Sequence, residues 1–388
     1  MTRSTALAAF LLWLAPAALA DAILLKNGKL VGLPHETEDG AAITADNWKN
    51  YLDKSNAVIT REGYDALEIE GKKAIPLAEV ADYDFHPVPE ALAEGQDQQH
   101  VGAWAQAIAA LQQVASDPAA REVFKIRASF EIGRCYVASG GLKNAEQHFL
   151  GWKSKNSAFT PEVLSVLASI QKSQKKFADA RATFAQIEQL PGIPKSWIMR
   201  ARLGGVGVEI EERSFAQAEA KAKQIIGEIG ADATLNDALA LAHAQLARAI
   251  QQAGNKERLE EARGLLEKAG KLPGVSDGNR AFLYATLGDV LYLQGDPDNA
   301  RLPYMRVVEM YDEPAFRSHS LFNAGQCFLD LHERVERDPA KDPEQSKYYL
   351  REGVKLLTEC ILKYGAYPAA QDARRVYAGY KKKYDEIK

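Results

Sequence analysis

Seven histidines, at positions 35, 86, 100, 148, 243, 319 and 332, are the imidazoles this chain could bring to a metal. A zinc site on one helix needs two of them four residues apart around a glutamate, so that both rings share a face. No pair has that spacing. His35, Glu36, Thr37 and Glu38 form the densest local group, and they read as a polar turn between strands rather than a ligand set. General acid catalysis asks for a carboxyl group held out of water, whereas Glu209, Glu211, Glu212, Glu260 and Glu261 fall on solvated helical faces. The chain carries no G-x-S-x-G elbow, no phosphate loop and no paired-cysteine zinc spacing. Gly204, Gly205 and Gly207 lack the preceding strand of a dinucleotide-binding turn. The expectation is a protein with no catalytic residues, no metal and no cofactor. Cys135, Cys327 and Cys360 are an odd set, poorly suited to a disulfide framework. Buried small hydrophobes is the favoured reading for them, with a Cys327–Cys360 bridge inside the last repeat as the alternative.

Recognition remains, and it needs elements that present a surface. Ala281 to Met310 reads as two amphipathic helices joined by the polar turn Gly295, Asp296, Pro297. Leu287 and Gly288 lie midway along the first helix; Ala300, Tyr304 and Val307 recur along one face of the second. Small residues at Gly288 and Ala300 let the two helices approach closely. Sliding this template along the chain places small anchors at Ala107, Ala145, Ala180, Ala218, Ala262 and Ala300, separated by 38, 35, 38, 44 and 38 residues. Four and seven residues after each anchor stands an apolar residue, from Leu111 and Val114 to Tyr304 and Val307. Twelve before the anchors stand Gly95, Gly133, Ala168, Val206, Ile250 and Gly288.

The pattern resembles the tetratricopeptide repeat (TPR), in which a small residue of helix A is followed twelve places on by an alanine of helix B and then by an aromatic. That resemblance implies a mainly α protein, a TPR-like α-solenoid of about seven helix hairpins over residues 89–388, ending in a capping helix from Ala369 to Ile387. In the seventh unit sixteen residues are inserted, roughly Glu333 to Ser346, as a solvated excursion or a helix extension. In TPR proteins the second, fifth, ninth and twelfth places of helix A line the inner groove, counting the small residue as eighth. Carried over, these places hold Arg127, Phe130 and Arg134 in the second unit, and Glu162, Ser165, Ser169 and Lys172 in the third. The sixth unit supplies Phe282, Asp289 and Tyr292, and the seventh His319, Phe322 and Gln326. An extended peptide would be held there by aromatic contact and charge-assisted hydrogen bonds. The bland alternative has Phe130, Phe282 and Phe322 merely packing on neighbouring helices. Some TPR proteins clamp a terminal carboxylate with lysines and asparagines at these places; Phe130 and Arg134 in the fifth and ninth do not support such a clamp.

Residues 21–88 lose the helical period. Ala22 to Leu33 predicts a hairpin whose Asn27 and Gly28 form a type I′ turn. Stretches 41–44, 56–60, 66–70, 73–77 and 80–85 are further strand candidates, with Gly71 and Lys72 as a second turn. Together they predict a small all-β domain, a barrel or a rolled sheet. His86, Pro87, Val88 and Pro89 make the linker. Residues 1–20 carry Arg3, an apolar run from Ala6 to Leu14, and Ala18, Leu19, Ala20. This is the pattern of a signal peptide, cleaved near Ala20 to leave a periplasmic or extracellular chain without a transmembrane segment. With 48 basic and 52 acidic residues, a net charge of −4, the chain is not built to attract nucleic acid or an anionic membrane. The function expected is a non-enzymatic protein–protein interaction scaffold, binding a peptide or protein partner in the concave groove. The alternative is an envelope polysaccharide- or peptidoglycan-binding protein that acts through its β domain and uses the repeats as a spacer.

Overall fold

Short aliphatic runs broken by glycine and proline make short strands, and the first unit opens with them. The computed structural model describes residues 20–34, 36–37, 41–54, 57–63, 65–70, 74–152 and 157–387. Residues 1–19 of the predicted signal, His35 and Glu38 of the polar turn, and the Gly71-Lys72 turn lie outside that set. The described strands are Ala20–Leu25 (β1), Leu30–Val31 (β2), Ile59–Glu62 (β3), Ala66–Ile69 (β4), Ile75–Pro76 (β5) and Val80–His86 (β6). They form two antiparallel sheets, β2-β1-β6 and β3-β4-β5. A bridge between Asp21 and Ala57 runs between them. The barrel alternative is thus corrected: strands of two to seven residues leave both sheets open rather than closing a staggered cylinder. The stretch 41–44 contributes only the bridge of Ala42 with Glu36 before a 3-10 turn, Trp48–Lys54, seats Trp48 in a small core with Ala22 and Ile43.

The β1–β2 connection is also not a type I′ turn. Only Gly28 has a positive φ, +81°, so Asn27 stays on the ordinary side of the map. Gly28 N donates to Leu25 O at 2.9 Å and Leu25 N to Lys29 O at 2.9 Å. This is a three-residue loop with its left-handed residue last, and Asn27 Oδ1 accepts from Lys29 N at 3.0 Å.

Two compact units divide the chain: residues up to 135 with 154–160, and residues 136–153 with 161–388. To its sheets the first adds Glu90–His100 (α1), Trp104–Ser116 (α2) and most of Glu122–Ala138 (α3). A Cβ on Gly95 would stand 2.6 Å from Leu111 Cγ, so α1 and α2 meet through a small-against-large contact. The polar centre of this unit is Asp21, 0% exposed. Its carboxylate takes both guanidinium nitrogens of Arg121 and the backbone N–H groups of Ile59 and His86, while Arg121 also donates to Ile59 O at 3.1 Å.

The second unit runs through Leu142–Leu150 (α4), Thr160–Ser173 (α5), Phe177–Glu188 (α6), Lys195–Glu211 (α7), Phe215–Ile229 (α8), Asn236–Gln252 (α9) and Leu259–Gly270 (α10). Asp277–Leu293 (α11), Pro297–Met310 (α12), Pro314–Arg337 (α13), Pro343–Lys363 (α14) and Pro368–Ile387 (α15) complete it. The helical array is TPR-like. All six alanine anchors are 0% exposed, and a Cβ on Gly288 would fall 2.5 Å from Tyr304 Cε1. Methyl-sized contacts at these places fix how closely successive helices pack. The insertion in the seventh pair is a helix extension: α13 runs 24 residues and α14 21, and Asp342 caps α14 by accepting from Glu344 N at 2.9 Å. Gly325 and Gly353 face each other at that crossing, each against a leucine of the other helix. All three cysteines are free and buried, which rules out the Cys327–Cys360 bridge. Burial pushes the thiols of Cys327 and Cys360 up to about 12 and about 11, leaving them inert as nucleophiles.

Candidate functional site

The sequence-chosen groove residues meet three different fates. In the first unit they are consumed internally. Arg127 donates to Glu62 Oε1 at 3.0 Å and lies over the rings of Phe85 and Phe159. Glu62 also accepts from Tyr83 Oη at 2.6 Å, and burial followed by that carboxylate raises the Tyr83 phenol above its ordinary range. Phe130 is 3% exposed and stacks on Phe159 with ring centroids 4.4 Å apart, so here the packing alternative holds. Arg134 is exposed, 3.6 Å from Glu131 on its own helix.

Towards the other end, the residues tie one helix A to the next. Asp289 Oδ1 accepts from Tyr304 Oη at 2.6 Å and lies 2.8 Å from His319 Nε2. Tyr292 Oη donates to Asp330 Oδ2 at 2.7 Å. Phe282 is buried against Phe316, while Phe322 and Gln326 are half-buried. These side chains form a satisfied polar ladder along α11 and α13.

Between lies Lys172. Its chain leaves α5 on the same face as Ser169, which is exposed and donates to Ser165 O, and Glu162 stands exposed at the start of that helix. The Lys172 ammonium is half-buried, and among the described residues it has neither a hydrogen bond nor an ion pair. Burial, and then the like charge of Arg248, push its pKa down to about 8, with Glu211 pulling the other way. A Cβ on Gly207 of α7 would lie 3.3 Å from Lys172 Nζ and 3.3 Å from Gln245 Nε2 of α9. Arg248, one turn beyond Gln245, donates to Glu211 Oε1 at 2.7 Å and lies 5.7 Å from the ring of Phe282. Helices α5, α7, α9 and α11 therefore bring one ammonium, one amide, one guanidinium and an aromatic ring around a floor made by a glycine.

Of this cluster, the sequence reading named Lys172 and Phe282 and missed Gly207, Glu211, Gln245 and Arg248. Counting back twelve from Ala262 reaches Ile250, a core residue. The 3-10 turn Lys256–Arg258 lengthens the connection between α9 and α10, and the small buried residue at the matching point of α9 is Ala247. Taking Ala247 as eighth puts Arg248 in the ninth place, just as Val206 as eighth puts Gly207 there.

Two other polar clusters are paired internally. A groove of about 410 Å³ between α6, α7 and α8 is floored by Phe184, Ala201 and Ile225, but its charges are paired, Arg202 with Glu188 and Glu228, and Lys221 with Glu209. Ser346 touches His332, yet the imidazole is no base for it. His332 Nδ1 lies 3.1 Å from Ser346 O, which can only accept, so Nδ1 carries the proton while the serine hydroxyl donates to Glu336 Oε1 at 2.5 Å. Among the described residues no group of three His, Cys, Asp or Glu side chains could hold a metal ion, and no helix is long and apolar enough to cross a membrane.

No protein-family model matches the sequence, and a search of curated proteins finds no match. Solved structures are similar to it in fold. A tetratricopeptide repeat protein from Parabacteroides merdae aligns with a TM-score of 0.41 and 15% identity, over 69% of this chain and 92% of that one. A Rap protein complexed with competence and sporulation factor aligns at 0.37 and 13%, over 77% and 98%. The C-terminal part of a TPR repeat-containing protein from Cytophaga hutchinsonii aligns at 0.34 and 14%, over 66% and 92%. At these values the likeness stops at the helical-repeat fold.

Proposed function

We propose that the chain is an exported, non-catalytic interaction scaffold that holds an extended peptide segment of a partner protein along the helix-A residues of its second unit. Lys172 carries the reading. An ammonium among helices with no carboxylate of its own costs the fold free energy, so the charge is better explained by a group supplied from outside. Arg248, packed over the buried ring of Phe282, sets a half-buried guanidinium beside it, a residue type enriched at recognition hot spots. Around the β sheets two aromatic side chains suited to sugar stacking are turned to internal use, Trp48 of the 3-10 turn in the small core and Tyr83 of β6 on Glu62. Export rests on Arg3, the apolar run from Ala6 to Leu14 and the small residues Ala18 and Ala20.

A photo-crosslinking phenylalanine analogue placed at Ser169 or Phe322 tests the groove. Irradiation in the native compartment should join a discrete protein, identifiable by mass spectrometry, at these positions and not at Leu302, an exposed residue of α12. Adducts equally strong at Leu302, or none at Ser169 and Phe322, would overturn the reading. Export is checked separately by N-terminal sequencing, which should begin at Asp21.

A further inference from the structure

We infer that the crevice floored by Gly207 binds an acidic side chain, aspartate or glutamate, carried inside an extended peptide; the inference rests on the groove reading above. Lys172 Nζ and Gln245 Nε2 face one shared space, the space a Cβ on Gly207 would enter at 3.3 Å from each. Neither donor makes a hydrogen bond among the described residues, and the buried Gln245 Oε1 has no partner either. The charged groups that face them are Arg248 from α9 and Glu211 from α7. Arg248 gives one hydrogen bond to Glu211 and otherwise lies against Phe282. Two cations therefore stand against one carboxylate, and the crevice is one negative charge short.

A carboxylate supplies that charge and has two oxygens, one for the ammonium and one for the amide, in charge-assisted bonds stronger than neutral ones. A neutral acceptor such as a peptide carbonyl would satisfy one donor and leave the charge uncompensated. The geometry favours a side chain over a chain terminus, because exposed Ser169 lies one turn before Lys172 on α5, and half-buried Arg248 lies one turn past Gln245 on α9. A strand of peptide can enter on one side and leave on the other. Burial and Arg248 now hold the Lys172 ammonium down at about 8, and an arriving carboxylate reverses that, so binding near pH 8 draws a proton from solution.

The test uses the full chain and terminally blocked peptides, N-acetylated and C-amidated, with a central Glu, Gln or Lys among varied flanking residues. They are screened on an array, then titrated by calorimetry at pH 8 in two buffers of different ionisation enthalpy. Glu-centred peptides should bind, their Gln counterparts about tenfold more weakly, and binding should take up a fraction of a proton. Lys172→Met should lose about tenfold in affinity and abolish the proton uptake, with an unchanged circular dichroism spectrum. Gly207→Val fills the same space while leaving every charge in place, and should lose binding too. Indifference between Glu and Gln, or no retention at all, would each overturn the acidic subsite. The crosslinks at Ser169 and Phe322 judge the groove independently, so a peptide that binds without preference for Glu sinks this inference and leaves that one standing.

Discussion

Arg127 in the first unit and Lys172 in the second are assigned the same job by the repeat template, yet their surroundings differ. Arg127 meets Glu62, 65 residues earlier in the chain, at 3.0 Å and is flanked by Phe85 and Phe159. Beside it, Arg121 and Asp21, 100 residues apart, satisfy each other and the backbone of Ile59 and His86. Lys172 sits as deeply among helices and has no such partner. A cation answered by a carboxylate of its own unit is a strut. One left unanswered costs stability, and this difference separates structural from functional charge where the template alone cannot.

The strongest way to break the comparison is to remove a strut. Arg121→Leu leaves the fully buried Asp21 carboxylate without its cation and should cost about 3–5 kcal/mol, read as a lowered urea midpoint. Arg127→Leu should cost less, on the order of 2 kcal/mol, because Tyr83 still donates to Glu62. If either variant unfolds at the wild-type midpoint, the pairs are not struts and the contrast with Lys172 fails.

The repeat was legible because it is local. Small and large residues at fixed spacing recur in each pair, and Ala107, Ala145, Ala180, Ala218, Ala262 and Ala300 all come out fully buried. Lys172 was legible for the same reason, its register being set by the clean spacing between Ala168 and Ala180. Arg248 was not, since the 3-10 turn before α10 shifts the count by three residues, and periodicity carries no information about an irregular connection. The engagement of Arg127 by Glu62 was not legible either, because it depends on how β3 and α3 pack, a long-range property no spacing rule contains. Gly28 shows the same limit on a small scale: the Asn-Gly signal located the turn, but the hydrogen bonds of Leu25 chose a three-residue loop.

His243 supplies a second unanswered group, and it sharpens the comparison from the apolar side. It is 3% exposed in the core between α9 and α10, and neither ring nitrogen has a hydrogen-bond partner among the described residues. Burial, with a smaller push from Lys268, lowers its pKa to about 4 from 6.5. The unfolded chain therefore binds this proton first as pH falls, so stability is lost between about 6.5 and 4. The loss from this residue should be on the order of 2 kcal/mol, and His243→Leu should flatten that part of the pH–stability curve. A variant curve parallel to wild type down to pH 4 would show that the imidazole is charged in the fold and has found a partner.

The smallest effect is the one that separates a site from a strut most directly. Since the Lys172 ammonium is held at about 8 in the folded chain against 10.5 in the unfolded one, the folded state releases its proton first as pH rises. Its contribution is unfavourable at pH 7 and lifts between about pH 8 and 10.5. Discounted for its solvent access, the cost is on the order of 1 kcal/mol. Lys172→Met should therefore unfold at the same urea concentration as wild type or a slightly higher one at pH 7, and the advantage should vanish by pH 10. Arg121→Leu, by contrast, should lose stability at both pH values, because it strands the buried Asp21 carboxylate. A Lys172→Met variant destabilised as much as Arg127→Leu would place Lys172 among the struts, with a carboxylate of this chain as its natural partner.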